Sequence, residues 1–146
     1  MNQKPNISVK ITEEKKLFPS HLVQEKFNTA APYYNTYNAL GEEVASRLCS
    51  RLADLKRSFP TILDLGAGTG AVANQIQKSN QDTSIICLDF AEKMLQQNHH
   101  TNVIANAEDA LPFKDETFDL AISNLCLPFI NDIPKFLHLA GKALKK

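Results

Sequence analysis

Short apolar runs alternate with stretches of helical spacing along most of the chain. The runs at residues 61–65, 83–89, 102–106 and 118–123 predict four strands. Helical spacing predicts helices over residues 42–55, 71–77, 91–98 and 133–144. Because strands and helices of this length alternate, we predict an α/β fold in which about four parallel strands are flanked by helices, with right-handed crossovers.

Two of the predicted helices carry an apolar face that can pack on such a sheet. In the helix over residues 42–55 this face consists of Val44, Leu48, Leu52 and Leu55, and we interpret that helix as scaffold. The helix over residues 133–144 has Asp132 as its expected N-cap and Pro134 in its first turn. Its inner face is expected to consist of Ile133, Phe136, Leu137, Ala140 and Leu144.

The N-terminal part of the chain differs in character from the rest. Residues 1–20 are polar and contain several lysines, so we predict partial disorder there and a single domain over residues 21–146. Pro32 is expected to break or start a helix near the middle of residues 24–40. Three tyrosines follow it, and they are either surface-packed aromatics or part of a lid over a pocket: Tyr33, Tyr34 and Tyr37.

Charge and composition narrow the range of partners. Lysine plus arginine equals aspartate plus glutamate, at 16 each, so no overall basic field would attract nucleic acid. No apolar stretch reaches the length of a membrane span and no targeting segment is evident, so we expect a cytoplasmic protein. The three cysteines lie far apart, which favours reduced thiols, and the neighbouring His99 and His100 point different ways, so no metal site is predicted.

The segment from Asp64 to Gly70 carries the main chemical signal. It reads D-x-G-x-G-x-G and joins the first predicted strand to the helix over residues 71–77. A strand, a glycine turn and a helix N-terminus together form a nucleotide-binding corner, but dinucleotide sites usually show G-x-G-x-x-G. A carboxylate at position 64 would repel a pyrophosphate and attract a cationic ligand. The alternative is a purely structural glycine turn.

Asp89 ends the second predicted strand, 19 residues after Gly70. A carboxylate at about this distance is expected to accept hydrogen bonds from the two hydroxyls of a ribose. The alternative role is to cap the helix over residues 91–98.

With these motifs, residues 62–144 resemble the N-terminal half of class I S-adenosylmethionine-dependent methyltransferases. Residues 27–40 further resemble the N-terminal segment of malonyl-acyl-carrier-protein O-methyltransferases, and residues 107–113, 117–119 and 123–125 agree with that group. The resemblance implies the N-terminal half of a Rossmann-like methyltransferase sheet, preceded by a helical segment, and S-adenosylmethionine as cofactor.

The resemblance also implies a set of cofactor contacts. For the adenine it leaves Asn106, Ala107, Glu108 and Asp109 open, with the backbone of Ala107 and the carboxylate of Glu108 favoured. The other implied contacts are Tyr34, Asp64, Gly66, Ala67, Gly68, Gly70, Asp89, Phe90 and Asn124.

The implied reaction makes modest chemical demands on the protein. Methyl transfer from a sulfonium is an in-line displacement, and a malonyl carboxylate is already an anion at neutral pH, so no general base and no catalytic residue are predicted. We expect Cys126, which follows the fourth strand, to have a packing role. The implied acceptor is malonyl-acyl-carrier-protein or another small carboxylate or quinone-type substrate.

Two departures from the resemblance matter in different ways. Gly41 stands where the narrower group commonly has a glutamine, which weakens the assignment to that group. The later strands expected of a methyltransferase sheet have no counterpart in these 146 residues, and this departure favours an alternative. The alternative is a truncated or split-gene fragment that keeps a cofactor-binding corner without independent catalysis. Such a chain is expected to associate with itself or with a complementary C-terminal fragment, through the open edge of the fourth strand. A dehydrogenase is disfavoured by the glycine spacing.

Overall fold

The computed structural model describes residues 16–146, and the prediction of disorder for residues 1–20 therefore lies largely outside the described residues. Five α-helices and four strands follow in the order α1, α2, β1, α3, β2, α4, β3, β4, α5. The strands are β1 (Thr61–Leu65), β2 (Ser84–Asp89), β3 (Thr101–Ile104) and β4 (Leu120–Ile122). The helices are α1 (Ser20–Tyr37), α2 (Ala39–Ala53), α3 (Ala71–Ser79), α4 (Glu92–Leu95) and α5 (Ile133–Ala143), and a 3₁₀ turn covers Leu127–Phe129.

The four strands form one parallel sheet in the order β3-β2-β1-β4, which confirms the predicted α/β fold. β1 lies at the centre, where Asp64 is in register with Cys87 on one side and Ile122 on the other. Because the carboxyl ends of parallel strands meet at one edge, the segments that follow β1, β2, β3 and β4 all lie at the same edge of the sheet.

β4 is shorter than the predicted run over residues 118–123. At its start, Phe118 forms an isolated parallel bridge with Leu144, so the end of the chain covers this part of the edge. At its end, the Ser123 hydroxyl donates to the Leu65 carbonyl oxygen at 2.8 Å. The predicted open edge therefore excludes Phe118, which Leu144 covers, and Leu120–Ile122 form the edge strand of the sheet.

The two N-terminal helices deviate from the sequence prediction in different ways. α1 continues through Pro32, which was expected to interrupt it, because Ala31 is buried against Ala91 and Met94 and tertiary packing compensates for one missing backbone hydrogen bond. α2 begins at Ala39 and turns Gly41 and Ala45 inward, whereas Leu55 is 60% exposed. These small residues let α2 lie close to the body of the domain.

The packing face of α5 was predicted correctly in part. Asp132 is its N-cap and accepts from the Lys135 amide at 3.0 Å, and Phe136 is buried. Ile133 and Leu137, both expected to face inward, are 42% and 56% exposed. Helical spacing alone could not separate the side chains that face the sheet from those that lie at its margin.

A network of polar groups joins the opposite, amino-terminal ends of β1 and β4. The Asp119 carboxylate accepts from the Thr61 hydroxyl at 2.6 Å, from the Thr61 amide at 2.9 Å and from the Lys145 ammonium at 3.0 Å. Hydrogen bonds from Thr61 and Lys145 lower the pKa of Asp119 to about 2. The carboxylate therefore stays ionised and holds the end of the chain against the sheet.

Candidate functional site

The glycine turn after β1 has the backbone conformation that its sequence predicts. Gly66 and Gly70 have φ values of +72° and +89°, in the left-handed region that favours glycine. A Cβ on Gly66 would lie 2.5 Å from the Cys126 sulfur, and one on Gly70 would lie 2.9 Å from the Asn98 side chain. Each glycine is required both by conformation and by close packing.

Asp89 closes this turn from the neighbouring strand. Its Oδ2 accepts from the Gly68 amide at 2.9 Å, and its Oδ1 accepts from the Ala91 amide at 2.8 Å. The residue that caps α4 is Ala91, so Asp89 supports the entry to α4 without being its N-cap. Burial raises the pKa of Asp89, although the hydrogen bonds from Ala91 and Gly68 act in the opposite direction.

Buried oxygen atoms without hydrogen-bond partners gather beside the turn. Within the described residues, neither carboxylate oxygen of Asp64 has a partner, and Asp64 is only 1% exposed. The amide of Asn124 donates to the Gly41 carbonyl at 2.9 Å, which leaves its own Oδ1 buried and unpartnered. Asp64 and Asn124 line the same small side pocket of about 40 Å³, so three acceptor oxygens without hydrogen-bond partners in the described residues border this pocket.

The electrostatic state of Asp64 follows from this isolation. Burial, and secondarily the charge of Asp89, raises the pKa of Asp64 to about 7. An ionised carboxylate with no donor is costly away from water, whereas a ligand that carries several N–H donors and a positive charge would satisfy it. The side pocket is therefore suited to an ammonium group.

A larger cavity of about 270 Å³ continues from the side pocket, and we call it the main cavity. Eight of the predicted site residues line it: Tyr34, Gly66, Gly68, Asp89, Phe90, Ala107, Glu108 and Asn124. Asp64 and Ala67 line the side pocket instead. Gly70 lines neither, because it packs on Asn98 and serves as the N-cap of α3. The structure thus brings together all the predicted residues except Gly70.

The acidic residue favoured for the adenine contact is already engaged. Glu108 Oε1 accepts from the amides of Asn131 and Asp132 at 2.6 and 3.0 Å, and its Oε2 accepts from the Asn131 side chain at 3.3 Å. Asn106 uses its Oδ1 to accept from the Glu108 amide at 3.1 Å. The carboxylate of Glu108 therefore organises the loop before α5, and Glu108 lines the cavity together with Asn106 and Ala107.

α1 lies over the main cavity and is anchored on α4. Gln24 donates to the Phe90 carbonyl at 2.5 Å, and Asn28 accepts from the Lys93 amide at 2.9 Å. Tyr34 is half-buried and lines the cavity, and burial raises its pKa, whereas Tyr33 and Tyr37 are 68% and 81% exposed. Of the three tyrosines, Tyr34 alone lines the main cavity.

Cys126 has the packing role predicted for it. Its sulfur lies against Gly66, and burial raises the pKa of its thiol to about 12. The thiol therefore stays protonated at neutral pH and cannot act as a nucleophile.

Sequence reasoning missed several residues that line the main cavity: Ser20, Val23, Asn38, Leu40, Gly41, Leu125, Phe129 and Ile130. Asn38, Leu40 and Leu125 lie in segments that carry the resemblance but were not singled out, and the other five lie where no motif marks them. Gly41 was noted only as a departure from a pattern, yet its carbonyl orients Asn124. The signal in the sequence that could have marked Gly41 is its position as a glycine within an otherwise regular helical pattern.

Residues 16–146 contain no cluster of three or more histidine, cysteine, aspartate or glutamate residues that could hold a metal ion. Among the same residues, no helix combines the length and the apolar character that crossing a membrane requires.

Comparison with known proteins identifies the family. Residues 63–146 match the family model described as methyltransferase domain. The chain is 36% identical over 135 residues to human arginine-hydroxylase NDUFAF5, mitochondrial, and 36% identical over 137 residues to malonyl-[acyl-carrier protein] O-methyltransferase of Xylella fastidiosa. Each match covers 88% of this chain, and the chain spans 39% and 46% of the length of these two relatives.

Solved structures agree with the fold. An S-adenosylmethionine-dependent methyltransferase from Methanococcus maripaludis superposes with a TM-score of 0.64 at 17% identity, covering 99% of this chain and 64% of that one. The family match and the fold together show that the chain belongs to the class I S-adenosylmethionine-dependent methyltransferases.

Proposed function

We propose that the main cavity and the side pocket bind S-adenosylmethionine for methyl transfer. One observation carries the proposal: buried acceptor oxygens of Asp64 and Asn124, without donors in the described residues, meet beside the glycine turn. The ammonium of the cofactor carries three N–H donors and a positive charge, which suits this set. A nicotinamide dinucleotide offers a pyrophosphate to this turn, and the buried carboxylates would repel it.

The position of the ammonium determines where the ribose and the adenine of the cofactor would lie. Asp89 keeps unused lone pairs on oxygens fixed by the Gly68 and Ala91 amides, so it is the residue proposed to accept from the ribose hydroxyls. Phe90 and the segment from Asn106 to Ala107 line the cavity beyond Asp89 and would enclose the adenine. Gly66, Ala67 and Gly68 would contact the cofactor through their backbone.

When bound, the cofactor supplies an electrophilic methyl group on a sulfonium. The protein contributes binding, orientation and exclusion of water, since no base in the cavity is needed for an anionic acceptor. Tyr34, Leu40 and Leu125 line the cavity near the junction of α1 and α2, and they would shield the reacting centre. No lysine, arginine or histidine is among the described residues that line the cavity or the side pocket.

We propose malonyl-acyl-carrier-protein as the acceptor, which is a finer assignment than the family gives. It is supported by the relative from Xylella fastidiosa and by the resemblance of residues 27–40. A second candidate acceptor is an arginine side chain, because an equally similar relative is named an arginine hydroxylase, which indicates an arginine substrate for that relative. The cytoplasmic location stays a prediction, because that relative is named mitochondrial.

We further propose that the face formed by β4 and α5 binds additional polypeptide, either a second copy of the chain or a complementary C-terminal fragment. Leu120–Ile122 lies at the edge of the sheet, α5 contacts β4, and Ile133 and Leu137 on α5 expose apolar surface. An apolar strand edge with exposed apolar neighbours favours association.

One experiment on the purified chain tests both the proposed acceptor and the proposed association. Size-exclusion chromatography with light scattering is expected to show self-association, or a complex when a C-terminal fragment of a relative is added. Transfer of a radiolabelled methyl group is then measured with malonyl carrier protein, with acetyl carrier protein as the matched control without a free carboxylate, and with an arginine peptide. We expect transfer to the malonyl form only, and more of it in the assembled state.

Two outcomes would contradict these proposals separately. A stable monomer, with and without the fragment, would overturn the association. Transfer to the arginine peptide in preference to malonyl carrier protein would replace the first acceptor with the second.

A further inference from the structure

Ser20 is a polar residue of the main cavity that neither the sequence motifs nor the comparisons assign. It is the first residue of α1, and it lines the cavity. Its hydroxyl oxygen is buried and has no hydrogen-bond partner among the described residues. Buried polar atoms are nearly always hydrogen-bonded, so one that borders a ligand cavity is a candidate for a ligand contact.

A chain of hydrogen bonds fixes where Ser20 lies along the cavity. The Phe18 amide donates to Asn131 Oδ1 at 3.1 Å, and the Asn131 amide side chain donates to the Phe18 carbonyl at 3.0 Å. The backbone of Asn131 is in turn held by Glu108. Because Glu108 directly follows Ala107, the start of α1 is tied to the end of the cavity at which the adenine is proposed to lie.

Apolar side chains of α1 and of the 3₁₀ turn line the main cavity together with Ser20. The ring of Phe129 packs edge-on against Phe18 and Phe27, with centroids 6.0 and 5.2 Å away. Val23, on the next turn of α1, and Phe27 line the same wall of the cavity. The Ser20 hydroxyl thus adds one polar group to an aromatic and aliphatic wall, as the edge of a flat heteroaromatic ring requires.

We propose that Ser20 is a cofactor-binding residue whose hydroxyl forms a hydrogen bond with the nucleobase edge of S-adenosylmethionine. Asn131 and Glu108 are positioning residues that hold the start of α1 in place. The proposal rests on the proposed function and extends it to a residue of α1. A hydroxyl can both donate and accept, so it can pair with a ring nitrogen or with an exocyclic amino group.

The test uses the full chain and two probes, S-adenosylhomocysteine and 5′-methylthioadenosine, which lacks the amino-acid part. Ser20→Ala is expected to weaken the binding of both probes by the same factor, about 3- to 10-fold, as for loss of one neutral hydrogen bond. Ser20→Thr keeps the hydroxyl and should restore most of the affinity. Ser46→Ala, on the exposed side of α2, is the matched control and should change neither affinity.

Two further measurements separate this role from a structural one. The melting temperature of the ligand-free Ser20→Ala protein should be unchanged or higher, because the lost hydroxyl has no partner to leave behind. Asn131→Ala should lower the affinity for both probes. The double variant with Ser20→Ala should lose no more affinity than the single variant with the larger loss.

Failure of the proposed function and failure of the base contact of Ser20 would give different results. If the unaltered chain does not bind S-adenosylhomocysteine, the proposed function is wrong. If it binds and Ser20→Ala binds both probes equally well, or loses affinity for S-adenosylhomocysteine alone, the base contact of Ser20 is wrong while the function stands. If the losses of affinity in the double variant were additive, Asn131 would act independently of Ser20 and would not be a positioning residue for it.

Discussion

Asp64→Asn is expected to weaken S-adenosylhomocysteine binding and, at the same time, to stabilise the ligand-free protein. Asparagine has nearly the same shape and can still accept a hydrogen bond, but it carries no negative charge, so the lost ion pair with the ammonium should cost about 10- to 100-fold in affinity. 5′-Methylthioadenosine has no ammonium, and its affinity should not change. Asp82→Asn, in an exposed loop, is the matched control.

The gain in stability follows from the sign of the pKa shift. Asp64 has a pKa of about 7 in the folded protein, above its unfolded value of 3.8, so the folded state holds the proton more tightly. The contribution of Asp64 to the free energy of unfolding is fully present below about pH 4, and it is lost as the pH rises to about 7. At pH 8 Asp64→Asn should therefore raise the free energy of unfolding, by about 1–3 kcal/mol.

The same titration makes binding depend on pH. Below about pH 7 the free protein must release a proton from Asp64 before the carboxylate can pair with the ammonium, so affinity should rise with pH and level off above that value. In Asp64→Asn this rise should be absent. Urea denaturation and calorimetric titration between pH 5.5 and 8 measure both effects. A less stable variant with unchanged affinity would show that Asp64 is structural.

Gly66→Ala is expected to destabilise the domain and abolish cofactor binding. The new Cβ would lie 2.5 Å from the Cys126 sulfur and 2.7 Å from its Cβ, at a φ of +72°. Left-handed backbone costs a non-glycine residue about 1–2 kcal/mol, and overpacking adds about 1–3 kcal/mol. We expect the free energy of unfolding, measured with urea, to fall by about 2–5 kcal/mol.

The chain offers a control and a rescue for this variant. Gly141→Ala places its Cβ in open space within α5 and should raise stability by up to about 1 kcal/mol through helix propensity. Cys126→Gly removes the clash but leaves the backbone strain, so the double variant should recover part of the loss. If Gly66→Ala were as stable as the unaltered chain, the close packing of the turn on Cys126 would be wrong.

The central part of the fold was predictable because each strand and its neighbouring turn are coded locally. β1, β2 and α3 lie where apolar runs and the glycine motif place them, and Asp89 ends β2 as predicted. These features depend on residues close together in sequence.

The parts that were not predictable depend on distant contacts. Nothing near Pro32 signals that Ala31 packs on Ala91 and Met94, so the continuation of α1 could not be foreseen. The role of Glu108 was likewise hidden, because its partners Asn131 and Asp132 lie more than 20 residues further along the chain. An acidic residue after β3 is equally compatible with binding a ligand and with holding a loop.

The most direct test of the proposed cofactor is calorimetric titration of the unaltered chain with S-adenosylhomocysteine and, under the same conditions, with NAD. Unpartnered acceptors at Asp64 and Asn124 predict that S-adenosylhomocysteine binds and that NAD binds at least about 10-fold more weakly, since its pyrophosphate would lie beside buried carboxylates. Tighter binding of NAD would contradict the account.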